Sequence, residues 1–132
     1  MIFLDASAMV SMLTGEADAD DLANRLAADE TRVTSSIAVF ETAAALMRKR
    51  GCGMSEARDL IDRFRDVASV TLVPIDDVGG GLALEAFDRF GKGRHPASLN
   101  MGDCFAYASA KSVGARLLFK GQDFALTDIV AA

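Results

Sequence analysis

The chain has 132 residues, half of them hydrophobic and a quarter charged. That balance suits one globular domain with a real core and excludes a disordered chain. A net charge of −5 argues against a general nucleic-acid binder, so a nucleic-acid substrate would need metal ions or local basic patches to offset the repulsion. Charge interrupts every apolar run well short of a membrane span, and Asp5 follows the N-terminus without a basic lead segment. Cys52 and Cys104 stand far apart with no Cys-x-x-Cys spacing, as expected of free thiols in a reducing compartment. A soluble, cytoplasmic protein with no membrane partner is the expectation. The single histidine, His95, rules out multi-histidine zinc chemistry within one chain and argues against a histidine-based triad.

In chain order, residues 1–4 predict a short buried strand, with a helix or turn from Ala6. Residues 17–29 predict an amphipathic helix with Leu22 and Leu26 inward; Asp18, Asp20 and Asp21 suit its positive N-terminus and are assigned to solvent. A second strand is predicted at 32–35. Ser35 or Ser36 then caps a helix running to Arg50 and closed by Gly51 and Gly53. Ser55 is expected to cap the next helix, through about Ala68, with Ala57, Leu60, Ile61 and Phe64 on its apolar side. Residues 70–75 predict a strand, and Pro74 favours a sheet edge or a strand end. A helix is expected over 79–90, broken by Gly91-Lys92-Gly93. Asn100 caps a helix to about Val113, ended by Gly114. Residues 115–119 form another buried strand, and 129–130 a last short one. Strands alternating with helices predict an α/β fold, an α/β/α sandwich around a mainly parallel sheet.

Four acidic residues interrupt apolar surroundings. Asp5 ends Ile2-Phe3-Leu4, and Glu41 lies in mid-helix with Ile37, Ala38, Ala44 and Ala45 at i±3 and i±4, which predicts a buried face. Asp103 opens Cys104-Phe105-Ala106-Tyr107-Ala108, and Asp123 lies between Phe119 and Phe124. A carboxylate in such a setting is costly unless it is paired or holds a metal. Plainer readings exist: Asp5 could cap the turn after its strand, Asp103 could serve the helix that Asn100 caps, Asp123 could be a turn residue, and Glu41 could meet a buried Arg or Lys. One shared pocket accounts for all four, because ligands of parallel sheets gather beyond the carboxyl ends of the strands. Carboxylates without histidine or thiolate suit Mg²⁺ or Mn²⁺, and hence metal-assisted phosphodiester hydrolysis.

Four blocks carry a family resemblance: Ile2-Phe3-Leu4-Asp5-Ala6-Ser7-Ala8, Ser36-Ile37-Ala38-Val39-Phe40-Glu41, Leu99-Asn100-Met101-Gly102-Asp103-Cys104-Phe105-Ala106-Tyr107-Ala108 and Lys120-Gly121-Gln122-Asp123-Phe124. In this order they resemble the PIN-domain ribonucleases and, among them, the VapC toxins of bacterial toxin–antitoxin pairs. The resemblance implies a single PIN domain over 1–132 and a Mg²⁺- or Mn²⁺-dependent endoribonuclease leaving 5′-phosphate ends. It implies a homodimer, an RNA substrate such as tRNA or rRNA, and inhibition by a VapB-type antitoxin. Asp5, Glu41 and Asp103 become metal-site acids and Asp123 the fourth, with Ser7 and Asn100 in support. Phe119 and Gly121 replace polar or acidic residues that many relatives carry, which implies a sparser second metal site.

Lys92, Arg94 and His95, in the loop ending at Pro96, and Lys120 are candidate RNA contacts, with Arg48, Lys49 and Arg50 as a further basic run; a solvated helix end explains that run equally well. Met9, Met12, Leu13, Leu46 and Met47 could offer an apolar surface to a partner helix, or simply pack in the core. Gly79-Gly80-Gly81 lacks a dinucleotide-binding frame. An aspartate-nucleophile phosphotransferase would need an acid where Ser7 stands, and a phospho-receiver domain would need its acids in another order. The alternative function is a degenerate PIN module that binds RNA or a partner without cleavage.

Overall fold

Strand β1 (Ile2–Leu4) lies inside a four-stranded, fully parallel sheet of order β3-β2-β1-β4, with β2 at Arg32–Thr34, β3 at Val70–Leu72 and β4 at Arg116–Leu118. The computed structural model describes residues 1–132. The helices are α1 (Ala6–Thr14), α2 (Ala19–Ala27), α3 (Ser36–Arg50), α4 (Met54–Ala68), α5 (Asp77–Phe90) and α6 (Met101–Ser112), and a 3₁₀ turn follows at Phe124–Leu126. Successive strand residues face opposite sides. Ile2 and Leu4 pack with Leu22, Leu26 and Ala38 from the α1–α3 side, while Phe3 and Leu117 pack with Ala86, Phe90 and Ala108 of α5 and α6. The sheet is thus sandwiched between helical layers, as the alternation of elements predicts.

The chain steps outward from β1 to β2 to β3, then returns to put β4 on the other side of β1. Such a reversal opens a crevice at the carboxyl ends of the two strands involved. Asp5 leaves β1 at this point and its amide donates to the Leu118 carbonyl at 3.0 Å.

Several boundaries differ from expectation. Gly53, not Ser55, precedes the first turn of α4, so Ser55 lies inside the helix. Helix α5 starts two residues early because Asp76 caps it, accepting from the Gly79 amide at 2.9 Å. Strand β3 stops at Leu72, ahead of Pro74, on the sheet edge where proline is tolerated. The segment at 129–130 forms no strand; it runs beside β4, with the Leu117 amide donating to the Val130 carbonyl at 2.8 Å and one bridge to Ala131. Asp18 is not left to solvent, since it accepts from the buried Ser11 hydroxyl at 2.5 Å and from Lys120 at 3.2 Å. Ser35 caps α3 as expected, through the Ala38 amide at 3.2 Å.

Candidate active site

Asp5 is 4% exposed at the end of β1. It caps α1, accepting from the Ser7 amide at 2.9 Å and from the Ser7 hydroxyl, both on Oδ2. The Ser7 hydroxyl in turn accepts from the Lys120 amide at 3.0 Å, which ties the loop after β4 to Asp5. Asp103 stands at the third position of α6 in a reciprocal capping box: its Oδ2 accepts from the Asn100 amide at 3.0 Å, and its own amide donates to the Asn100 side chain at 2.9 Å. The capping readings of Asp5 and Asp103 are therefore correct, and they do not compete with a site. The bonds that these two carboxylates accept from Ser7 and Asn100 fall on Oδ2 and hold each carboxylate in one orientation.

Glu41 reaches the same region from α3. Its face is not wholly buried: Ala38 is, whereas Ala44 is exposed and Ile37 and Ala45 are half-buried. The apolar face lines an open groove with Phe40, Ser7 and Lys120. Neither an Arg nor a Lys meets Glu41. Its carboxyl is pushed up to about 7 by burial, then by the charges of Asp5 and Asp103. Asp103 is raised to about 6, first by burial and further by Asp5 and Asp123, against the hydrogen bond from Asn100. Burial likewise raises Asp5 against the stabilising bonds from Ser7 and Ala6. Asp123 is exposed, and its link to the cluster is the charge it projects on Asp103. All four acids thus share one neighbourhood, with three at its centre.

These acids bind protons more tightly in the folded chain than in the unfolded one. Stability from this source is fully present below the ordinary carboxyl range and is lost as pH rises through about 6 and 7. In chelator, the thermal midpoint is expected to be higher near about pH 5.5 than near about pH 8. A midpoint that is flat or rises over that interval would contradict the burial and mutual repulsion of these acids.

The basic candidates divide. Lys120 lines the groove, but its ammonium is held by Glu16 and by Asp18. Lys49 also lines it and pairs with Glu16 at 2.6 Å, beside Arg48. Arg94 pairs with Asp88 at 3.0 Å, and Lys92 is exposed in the same loop. His95 packs edge-on against Phe90 at 5.2 Å while its Nδ1 accepts from the Ala97 amide at 3.1 Å, a loop-shaping role. Sequence reasoning missed Phe40, which is 71% exposed beside Glu41, and Glu16, which gathers both groove lysines. An aromatic that falls outside the inward period of α3 is the one signal that could have revealed Phe40. Cys104 is buried and its thiol is pushed up by burial and by Asp103, so it packs rather than reacts.

The PIN domain family model matches residues 2–130. A VapC ribonuclease of Rhizobium meliloti is 42% identical, with 98% of this chain and 99% of that protein covered. A ribonuclease VapC of Mycolicibacterium smegmatis is 44% identical, with 97% of each covered. Among solved structures, Mycobacterium tuberculosis VapC20, described as a sarcin-ricin loop cleaving toxin, superposes with a TM-score of 0.76 over 100% of this chain and 98% of that one; at 22% identity that likeness speaks for the fold alone.

Proposed function

We propose, for a chain that belongs to the PIN-domain family and within it to the VapC ribonucleases, that the acidic pocket cuts RNA internally as the toxin of a toxin–antitoxin pair. The observation that carries this reading is the meeting of Asp5, Glu41 and Asp103 from β1, α3 and α6: Glu41 shares a groove with Ser7, the partner of Asp5, its carboxylate lies against Gly102 beside Asp103, and burial, then the charge of Asp5, raises both carboxyls.

No three acids form a ready-made ion cage as the side chains lie. The donor set nonetheless fits a hard divalent ion: every donor is a carboxylate oxygen, and the repulsion among them is what a cation relieves. Asp5, Glu41 and Asp103 are the residues to hold Mg²⁺ or Mn²⁺, with Asp123 at the open side. A bound ion of this kind supplies an activated water and offsets charge growing on the phosphoryl oxygen. Ser7 fixes Asp5, and Asn100 fixes Asp103, so neither acid must be ordered during the reaction. Arg48, which makes no ion pair, gives the groove positive charge for RNA phosphates; Lys49 and Lys120 reach a phosphate only in exchange for Glu16 and Asp18, and Lys92 and Arg94 are contacts further out.

The partner is a VapB-type antitoxin. A basic segment can neutralise the acids, an Arg fork pairing with a carboxylate in bidentate fashion. An apolar cleft lined by Met12, Leu13, Leu26, Leu60 and Phe64 offers a seat for a partner helix; Met9 and Leu46 do not contribute, being fully buried. The toxin works as a cytoplasmic homodimer of single PIN domains on tRNA or rRNA, leaving 5′-phosphate ends. No helix is long and apolar enough to cross a membrane.

The test is to incubate antitoxin-free protein with total cellular RNA and Mn²⁺ or Mg²⁺, then with chelator. Discrete cuts that chelator abolishes are expected. Intact RNA from demonstrably folded protein would favour the degenerate, binding-only module.

A further inference from the structure

Among the chain's 11 glycines, Gly102 is required by none of the usual reasons. Gly15, Gly51, Gly93, Gly114 and Gly121 adopt positive φ, where glycine is favoured. Gly102 does not; it sits in the first turn of α6 with a backbone that any L-residue could adopt, and glycine is a poor helix former there. What excludes a side chain is space. A Cβ on Gly102 would come within 2.1 Å of Glu41 Oε2, 2.3 Å of Oε1 and 2.4 Å of Cδ. Gly91 is also crowded, but there one obstacle is the Phe87 carbonyl of the backbone, at 2.3 Å. At Gly102 the three nearest atoms all belong to one carboxylate at the tip of a flexible side chain.

We infer that Gly102 is a positioning residue for the reaction: the absence of its side chain lets the Glu41 carboxylate lie flat against the start of α6, next to Asp103. This role rests on the reading of Glu41 as a metal-site acid. The geometry also fixes what a methyl group would do. Because the obstacle is movable, the methyl introduced by Gly102→Ala would push the carboxylate away and leave the helices in place. The fold loses nothing, and the helix gains a better former. A glycine kept for packing would show the reverse pattern, with loss of stability accompanying every other effect.

Direct Mn²⁺ binding to antitoxin-free protein, followed by calorimetry, and thermal unfolding in chelator test this together. Gly102→Ala is expected to weaken Mn²⁺ binding by about tenfold or more, as the loss of supporting residues of metal sites does, with a midpoint at or above that of the parent. Glu41→Asp withdraws the carboxylate by one methylene and makes room for the methyl. In the Glu41→Asp background, adding Gly102→Ala is therefore expected to cost no further affinity, a non-additive cycle. Parental Mn²⁺ affinity in Gly102→Ala would overturn the inference while leaving the site reading intact. So would a lowered midpoint, or a full additive loss in the double variant, which would trace the effect to something other than Glu41. If Glu41→Gln itself binds Mn²⁺ like the parent, the site reading falls and the inference with it.

Discussion

Asp5→Asn is expected to abolish RNA cleavage, by roughly 10²-fold or more, without unfolding the protein. The size follows from removing one anionic donor from a centre asked to supply several kcal/mol of transition-state stabilisation, about 1.4 kcal/mol for each factor of ten. The survival of the fold follows from the local geometry. Asp5 caps α1 through the Ser7 amide, and asparagine caps a helix as well as aspartate. The amide oxygen can still accept from the Ser7 hydroxyl, so the link from position 5 to the Lys120 amide persists. A buried charge disappears as well, which relieves a desolvation cost. Cleavage of total RNA by parent and variant, with thermal unfolding of both, decides the matter. Equal cutting by the two proteins would mean that the nuclease activity lies elsewhere or comes from a contaminant.

Glu41→Gln is the second large effect, and it separates function from packing most sharply. Glutamine has nearly the shape of glutamate, so the contact over Gly102 and the wall of the groove are preserved. Only the charge is lost. Because that charge opposes Asp5 and Asp103, the variant is expected to melt at or above the parental midpoint near about pH 8 in chelator. Its RNA cleavage is expected to drop by roughly 10²-fold or more, since a neutral amide is a poor substitute for a carboxylate toward a hard cation. Lower stability with undiminished cleavage would assign Glu41 to the fold and remove it from the site.

Much of the site is legible in the sequence because charge in an apolar setting is costly and so carries information. Asp5 and Asp103 stand out on that ground, and the plain capping explanation holds for each alongside the functional one. A sequence presents capping and catalysis as rivals; a carboxylate has two oxygens and can serve both. Periodicity is a weaker guide to Glu41. It finds an apolar helix face but cannot distinguish one sealed in a core from one that borders an open groove. The start of α4 is misread because serine is a better cap than glycine by propensity, yet the helix begins after Gly53, which caps it with no side-chain bond. Lys120 reads in the sequence as a free RNA contact, with no hint of its engagement by Glu16 and Asp18, more than 100 residues away in the chain. Long-range pairings of this kind leave no trace in local pattern.

The place of β1 has a consequence for biosynthesis. Strand β1 takes its second neighbour, β4, only after residue 118 has been made. Until then one edge of β1 stays open, the Asp5 amide lacks its Leu118 partner and the Ser7 hydroxyl lacks the Lys120 amide. Non-local closure of this sort is slow and cannot be anticipated by earlier segments. A nascent chain, or one cut short before β4, therefore carries Asp5, Glu41 and Asp103 without the framework that gathers them. Completion of the framework around Asp5 thus waits on β4, the last strand of the sheet in chain order.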